Sequence, residues 1–242
     1  MSIIVQKFGG SSVSDTNKLF NVCKHIIKEY KNNNKVVVVV SAQGKTTDKL
    51  VQEELEINNM VSKREHDVLI SIGEQITISK LVMCLNKLGY KAISYTGWQL
   101  PIITNNNYGD ADIIDIKTDK IINKLNDGYI VVVAGFQGVN EFGDITTLGR
   151  GGSDTTAVAI SAYLNASKCY IYTDVDGVYD KDPNINNDAL KFKTISYDDM
   201  LLMAQNGAKV LHSKCVKIAK KHNVLIVVKS TFVDNDGTLV TK

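Results

Sequence analysis

Two apolar runs decide most of what this chain can fold into: VVVVVSA at 36–42 and YIVVVAGF at 129–136. Neither alternates. A strand with one wet face needs a polar residue at every second position. Unbroken β-branched runs instead suit strands covered on both faces, as in a parallel sheet between helix layers. IIVQKF (3–8), KAISYT (91–96), KCYIYTDV (168–175) and VLIVVKS (224–230) read as further strands. Amphipathic stretches between them predict helices at about 15–32, 47–61, 64–88, 112–126, 152–165, 197–206 and 209–222. Strand and helix alternating through short links is the α/β pattern. A chain of 242 residues can bury a sizeable core, as one domain or as two lobes sharing a sheet. No repeat or Pro-rich linker divides it, and Pro101 and Pro183 are its only prolines. NNNYGDAD (105–112) and DKDPNINND (180–188) interrupt the pattern and are candidate loops or lobe junctions.

Charge argues against two classes of partner. The net charge is +2 and the lysines lie among acids rather than in blocks, which gives no footing for nucleic acid or a membrane surface. Cys23, Cys84, Cys169 and Cys215 have neither CxxC nor zinc spacing and sit among apolar neighbours. They read as small, buried and reduced. MSIIVQKFGG lacks the basic region and long apolar stretch of a signal peptide, and runs such as VVVVV are far short of a membrane span. A cytoplasmic location is the expectation.

Four stretches could carry chemistry. In KFGGSSVSD (7–15), two glycines after a strand let the backbone turn tightly, and free amides before a helix make an anion site with Lys7 at its edge. A plain turn capped by Ser14 or Asp15 fits the same residues. SAQGKTTD (41–48) contains GKT but fails as a P-loop, because Val39 stands where the first glycine belongs. It leaves Ser41, Thr46 and Thr47 as hydroxyls at a strand's carboxyl end, where ligands of open α/β sheets gather or where a hydroxyl caps a helix. Glu74, in VLISIGEQITISKLV (68–82), has apolar residues on all helical sides, and a lone buried carboxylate needs a partner, although a surface position between helical turns is the usual fate of a helix glutamate. TTLGRGGSDTTAVAIS (146–161) holds Arg150, one of only two arginines among 28 basic residues. A bidentate fork for an oxyanion explains arginine in a chain that otherwise uses lysine, and the glycines would let the ligand come close. Ser153 or Asp154 would begin the next helix. Farther on, Lys209 at a predicted helix start is unfavourable for the helix dipole unless an anion is bound. Two separated lysines, two glycine loops and an arginine suit phosphoryl transfer, which rests on positioning and charge neutralisation.

Together, KFGGSSV (7–13), SIGE (71–74), LGRGGSDTTA (148–157), YTDVDGVYDKDP (172–183) and GAKVLH (207–212) resemble the aspartate kinases of the amino-acid kinase superfamily, over essentially residues 1–240. The resemblance implies an αβα sandwich around a mainly parallel central sheet, formed by residues 1–242 as one kinase domain. Its N-terminal part would hold the amino acid and its part from about 150 the nucleotide. It implies phosphorylation of L-aspartate by ATP, with Mg2+ held mainly by the ATP phosphates and no metal ligands from the chain. By position, Lys7 would stabilise the phosphoryl group in transfer, and Gly9, Gly10 and Ser11 would contact phosphates. Ser41, Thr47, Glu74 and Arg150 would bind aspartate, Glu74 taking its ammonium and Arg150 a carboxylate. Asp154 would orient the lysines or the substrate, and Lys209 would bind ATP phosphates beside Val210. Thr173, Asp174, Tyr179 and Asp182 would line the nucleotide pocket.

The sequence departs from the pattern at Asn184, where an arginine is frequent, and at Ser213, where a proline is. Ligand-sensing ACT domains usually follow a segment like STFVDNDGTLV (230–240), and this chain ends at Lys242. The expectation is a kinase domain without feedback inhibition by lysine or threonine, forming a homodimer. A separate ACT-bearing subunit is the candidate source of control. The alternatives are a same-fold kinase for glutamate, N-acetylglutamate or carbamate, and a non-catalytic nucleotide-binding subunit.

Overall fold

The computed structural model describes residues 1–181, 183, 185–186, 188–207 and 210–242. The first half contains β1 (Ile3–Phe8), a 3-10 turn (Gly10–Val13), α1 (Thr16–Lys31), β2 (Lys35–Val40), α2 (Thr46–Ile57), α3 (Lys63–Ile70), α4 (Ile72–Lys87) and β3 (Ala92–Tyr95). Next come β4 (Ile102–Thr104), β5 (Ile113–Ile116), α5 (Asp119–Asn126), β6 (Ile130–Ala134), β7 (Gln137–Val139) and β8 (Ile145–Thr147). The chain continues through α6 (Gly152–Tyr163), β9 (Lys168–Thr173), β10 (Thr194–Ser196), α7 (Tyr197–Gln205), α8 (Ser213–His222), β11 (Ile226–Ser230) and β12 (Thr238–Thr241).

Eight strands form the central sheet in the order β10-β12-β11-β9-β1-β2-β6-β3. Its pairs are parallel except β11 with β12. The five valines of β2 are all fully buried, and they divide between two cores. Val37 and Val39 pack with Val131, Val133 and residues of α6 and α8, such as Val158 and Val216. Val36, Val38 and Val40 pack with Val132 and with Leu19, Val22 and Leu81 of α1 and α4. Both faces of the strand are therefore dry, which is why its sequence does not alternate. Each such valine contributes roughly 1.5–3 kcal/mol. The four cysteines are buried and free.

A second sheet of order β5-β4-β7-β8 covers one end. It corrects the expected helix at 112–126: only Asp119–Asn126 is helical, and Ile113–Ile116 is a strand. Three isoleucines in four residues favour the pleated conformation, and β5 pairs with β4 from Ile116 to Ile113. The expected helix at 64–88 divides at Ser71, whose carbonyl accepts from Gln137 Nε2 at 2.8 Å. An inserted side chain interrupts the helical ladder there. Lys63–Lys87 as a whole is 25 residues with a hydropathy of 1.6 over its most apolar window, long and apolar enough to cross a membrane. Half of that window is buried in the protein: Ile78, Leu81, Cys84 and Leu85 of α4 pack into the core, whereas Ile72, Ile76 and Met83 are exposed. Asp15, not Ser14, caps α1, accepting from the Lys18 amide at 2.9 Å.

Candidate active site

β1, β2, β6, β9 and β11 run parallel and end at one edge. Phe8 is level with Val40 and Tyr172, Val40 with Ala134, and Thr173 with Ser230. β1 is where the strand order turns, β2 leading away on one side and β9 on the other. Ligands of open α/β sheets bind at such a switch point. A cleft of about 220 Å³ opens there, lined by Lys7, Ser41, Thr47, Glu74, Phe136, Arg150, Ser153, Asp154 and Gly149, Gly151 and Gly152. Pockets for drug-sized ligands run about 300–1,000 Å³, so this one suits a molecule the size of an amino acid.

Lys7, next to last in β1, is largely buried, with Nζ 2.7 Å from Asp154 Oδ1 in the first turn of α6. The contact is short without being aligned as a hydrogen bond. Charge holds the ammonium in place, and its protons remain available to another acceptor. Glu74 lies in the first turn of α4 and is 3% exposed. Its Oε1 accepts from the Ala42 amide at 2.9 Å, while Oε2 is buried with no partner among the described residues. Burial pushes its pKa from 4.5 up to about 8, against the opposing effects of the Ala42 hydrogen bond and nearby Lys7. Gly73 permits the approach, since a Cβ there would stand 2.6 Å from Ala42 Cβ.

The two arginines have different fates. Arg64 is committed to Asp144, at 2.8 Å, and to Glu65. Arg150 is exposed beside the cleft and pairs with nothing among the described residues. The Ser41 and Thr47 side-chain hydroxyls are likewise unpartnered there. Lys7, Ser41, Thr47, Glu74, Arg150 and Asp154, six residues singled out from sequence, thus converge on one cavity. Phe136 and Ser153 complete the lining. Phe136 holds φ at 72°, a strained conformation for an aromatic residue. Its one signal in the sequence is its place just after Gly135 at the end of a buried strand.

The glycines answer to a packing demand that the sequence did not show. A Cβ on Gly151 would stand 2.4 Å from His212 Cβ, one on Gly149 2.5 Å from Asp110 Oδ1, and one on Gly152 2.7 Å from the Phe136 ring. Gly149 and Gly151 also hold φ at 72°. Neighbouring protein by itself demands these glycines, which also line the cleft, and α6 begins at Gly152 rather than at Ser153 or Asp154. Similarly, a Cβ on Gly10 would lie 2.7 Å from the Ala42 carbonyl oxygen. The Gly9 amide is already given to Tyr172 O at 3.2 Å, so it is not free for a phosphate. The Gly10 and Ser11 amides, which open the 3-10 turn, have no backbone acceptor.

Thr173, Asp174, Tyr179 and Val210 are not part of this lining. Thr173 ends β9 and donates to Asp174 Oδ1 at 3.0 Å. Tyr179 Oη donates to Asp176 Oδ1 at 2.6 Å, and Asp176 also pairs with Lys191 at 2.9 Å. Val210 packs half-buried against the core. Asp182, Asn184 and Lys209 lie outside the described residues. The helix expected from 209 begins at Ser213, with His212 as its cap.

The sequence pattern of the amino acid kinase family matches residues 2–230. The chain belongs to the amino acid kinase family. It is 54% identical over 240 residues to an aspartokinase of Bacillus sp. (strain MGA3) and 53% identical to an aspartokinase of Geobacillus stearothermophilus. Both alignments cover 99% of this chain, but only 58% and 59% of those proteins. The chain therefore spans somewhat under two thirds of the curated relatives' length. Aspartate kinase from Synechocystis superposes with a TM-score of 0.89 at 41% identity, covering 99% of this chain and 40% of that one. E. coli aspartokinase III, solved with aspartate and ADP, also gives 0.89, at 27% identity, with 99% of this chain and 64% of that one covered. UMP kinase from Bacillus anthracis, at 19% identity and a TM-score of 0.71, shares the fold. The αβα architecture around a mainly parallel sheet is thus the family's.

Proposed function

We propose that the chain is the catalytic part of an aspartate kinase, transferring the γ-phosphoryl group of ATP to the side-chain carboxylate of L-aspartate. A carboxylate oxygen attacks the γ-phosphorus, the bond to the β,γ-bridging oxygen breaks, and ADP leaves with 4-phospho-L-aspartate as product. The observation that carries this reading is the pairing, in one small cavity, of a buried unpartnered Glu74 oxygen with a free Arg150 guanidinium. A buried carboxylate calls for a cation, which the substrate's ammonium supplies. A guanidinium calls for a carboxylate. A free amino acid with an acidic group satisfies both.

Lys7 then faces the acceptor carboxylate and the incoming phosphoryl group, with Asp154 keeping it in place and Ser41 and Thr47 donating to the substrate. The nucleotide would lie toward β9, in the part from about 150. Gly10 and Ser11 would meet its phosphates, and Thr173, Asp174, Tyr179, Val210, Asp182 and Lys209 would surround it. Mg2+ would be carried mainly by the ATP phosphates, as is usual for this ion at nucleotide sites. The relatives named aspartokinase and the solved complex with aspartate and ADP support the reading. It would make the product an intermediate of lysine, threonine and methionine biosynthesis in the cytoplasm.

The test is ADP release with aspartate, glutamate, N-acetylglutamate and carbamate as acceptors. Turnover with aspartate alone is the expected result; preference for another acid would replace aspartate as substrate. Turnover with none would leave a nucleotide-binding subunit.

A further inference from the structure

Asp67 is fully buried and has no part in the chemistry above. Asp67 directly precedes the apolar stretch that holds Glu74, after the charged run KREH (63–66), and as a second buried carboxylate it needs partners. It lies on α3, four residues before the Ser71 junction and seven before Glu74. Oδ2 accepts from the Thr147 amide at 2.8 Å and the Gly109 amide at 2.9 Å, and Oδ1 accepts from Thr147 Oγ1 at 2.6 Å. A carboxylate filled by three donors is a strong tether, because charge-assisted bonds are roughly twice as strong as neutral ones.

All three donors belong to the structure that carries Arg150. Thr147 ends β8, three residues before it. Gly109 belongs to a loop whose Ala111 amide donates to Thr147 O at 2.8 Å, and whose Asp110 packs against Gly149. A second tie lies alongside. Gln137, level with Thr147 across β7 and β8, reaches the Ser71 carbonyl. Two paired residues of the small sheet therefore grip the helix that leads into Glu74. Between Thr147 and α6 the chain is Leu148, Gly149, Arg150 and Gly151, a link with two glycines whose position depends on its anchor.

We propose that Asp67 is a positioning residue that keeps Arg150 in register with Glu74, and thereby fixes how far the head of the amino acid sits from Lys7 and which side-chain length brings the acceptor carboxylate to it. The inference rests on Glu74 holding the ammonium and Arg150 the α-carboxylate, with Lys7 facing the side-chain carboxylate. Without the tether the Arg150 loop shifts relative to α4, aspartate is held less well, and glutamate, one methylene longer, is rejected less.

The test measures ADP release with aspartate and with glutamate for wild type, Asp67→Ala, Asp67→Asn and Thr147→Val. Asp67→Ala should raise the aspartate KM about tenfold to a hundredfold, the effect of a displacement near 1 Å. The ATP KM should be unchanged, and the kcat/KM preference for aspartate over glutamate should shrink. Asp67→Asn keeps an oxygen for the two amides, and the Thr147 hydroxyl can turn to accept from the new NH2. It should restore the aspartate KM. Thr147→Val loses one bond of three and should shift KM the same way, by less. An Asp67→Ala enzyme with lowered kcat but unaltered KM and acid preference would make Asp67 a structural residue only and overturn the proposal. If Asp67→Ala does not fold, an unchanged aspartate KM in Thr147→Val would overturn it instead. A wild-type chain inactive on aspartate would overturn the functional reading itself, before any variant is made.

Discussion

Glu74 should make aspartate binding release a proton, and replacing it by Gln should abolish that release. In the empty cleft, burial holds its pKa at about 8, so near neutrality most molecules carry a neutral carboxyl. Pairing with the substrate's ammonium requires the carboxylate. Below pH 8 each binding event must therefore expel a proton, and affinity should rise as pH rises. With a pKa of about 8 the ionised fraction climbs about fiftyfold between pH 6 and 8, so the aspartate Kd should fall about fiftyfold and level off above that. Calorimetry at pH 6.5 in buffers of different ionisation enthalpy should count nearly one proton released per aspartate. In Glu74→Gln the count should drop to zero, the pH dependence should vanish, and affinity at pH 8 should fall about tenfold to a hundredfold, the worth of a charge-assisted hydrogen bond. Stability gives an independent reading. The folded pKa lies above the unfolded value of 4.5, so between pH 4.5 and 8 the folded chain keeps a proton that the unfolded chain has lost. Stability must fall across that window, by about 5 kcal/mol at its upper end. Glu74→Gln should lack this decline and be the more stable protein at pH 8. A pH-independent Kd with no proton release would refute the assignment of Glu74 to the ammonium.

Lys7→Ala should lower kcat by on the order of 100-fold or more while leaving ATP affinity nearly unchanged, since its charge acts on the phosphoryl group in transfer. Rapid-quench and nucleotide-binding measurements separate the two, and an unchanged kcat would remove Lys7 from that role. Arg150→Lys should raise the aspartate KM about tenfold to a hundredfold by replacing a planar fork with a point charge. A raised ATP KM with unaltered aspartate KM would move Arg150 to the nucleotide side. Gly151→Ala combines a φ of 72° with a Cβ 2.4 Å from His212 Cβ and should cost about 2–4 kcal/mol. The accompanying loss of roughly 5–15 °C in Tm should be partly recovered by adding His212→Ala, and an unaltered Tm would refute the steric account.

What could be read from sequence was whatever depends on one segment's own chemistry. The two-faced burial of β2 was legible because it leaves no polar residue in Val36–Val40, and Glu74 because a carboxylate in an apolar helix is costly by itself. The small sheet was hidden. Its strands are three or four residues long, and β5 runs into α5 after only Lys117 and Thr118, so one window mixes both periods. The packing demand on the glycine cluster was hidden for a related reason. Which atoms a missing Cβ makes room for depends on what packs there from elsewhere in the chain: Asp110 comes from 39 residues before Gly149 and His212 from 61 residues after Gly151. Asp67 shows the same limit from the other direction. Its donors, Gly109 and Thr147, lie 42 and 80 residues away, and it follows the charged run KREH (63–66), so nothing in its local sequence marks it as a buried acid. The distinction between the two carboxylates is therefore made by the fold. Asp67 is filled by the protein's own donors, whereas Glu74 lines the cleft with one oxygen unpartnered among the described residues, which is what the proposed ammonium contact requires.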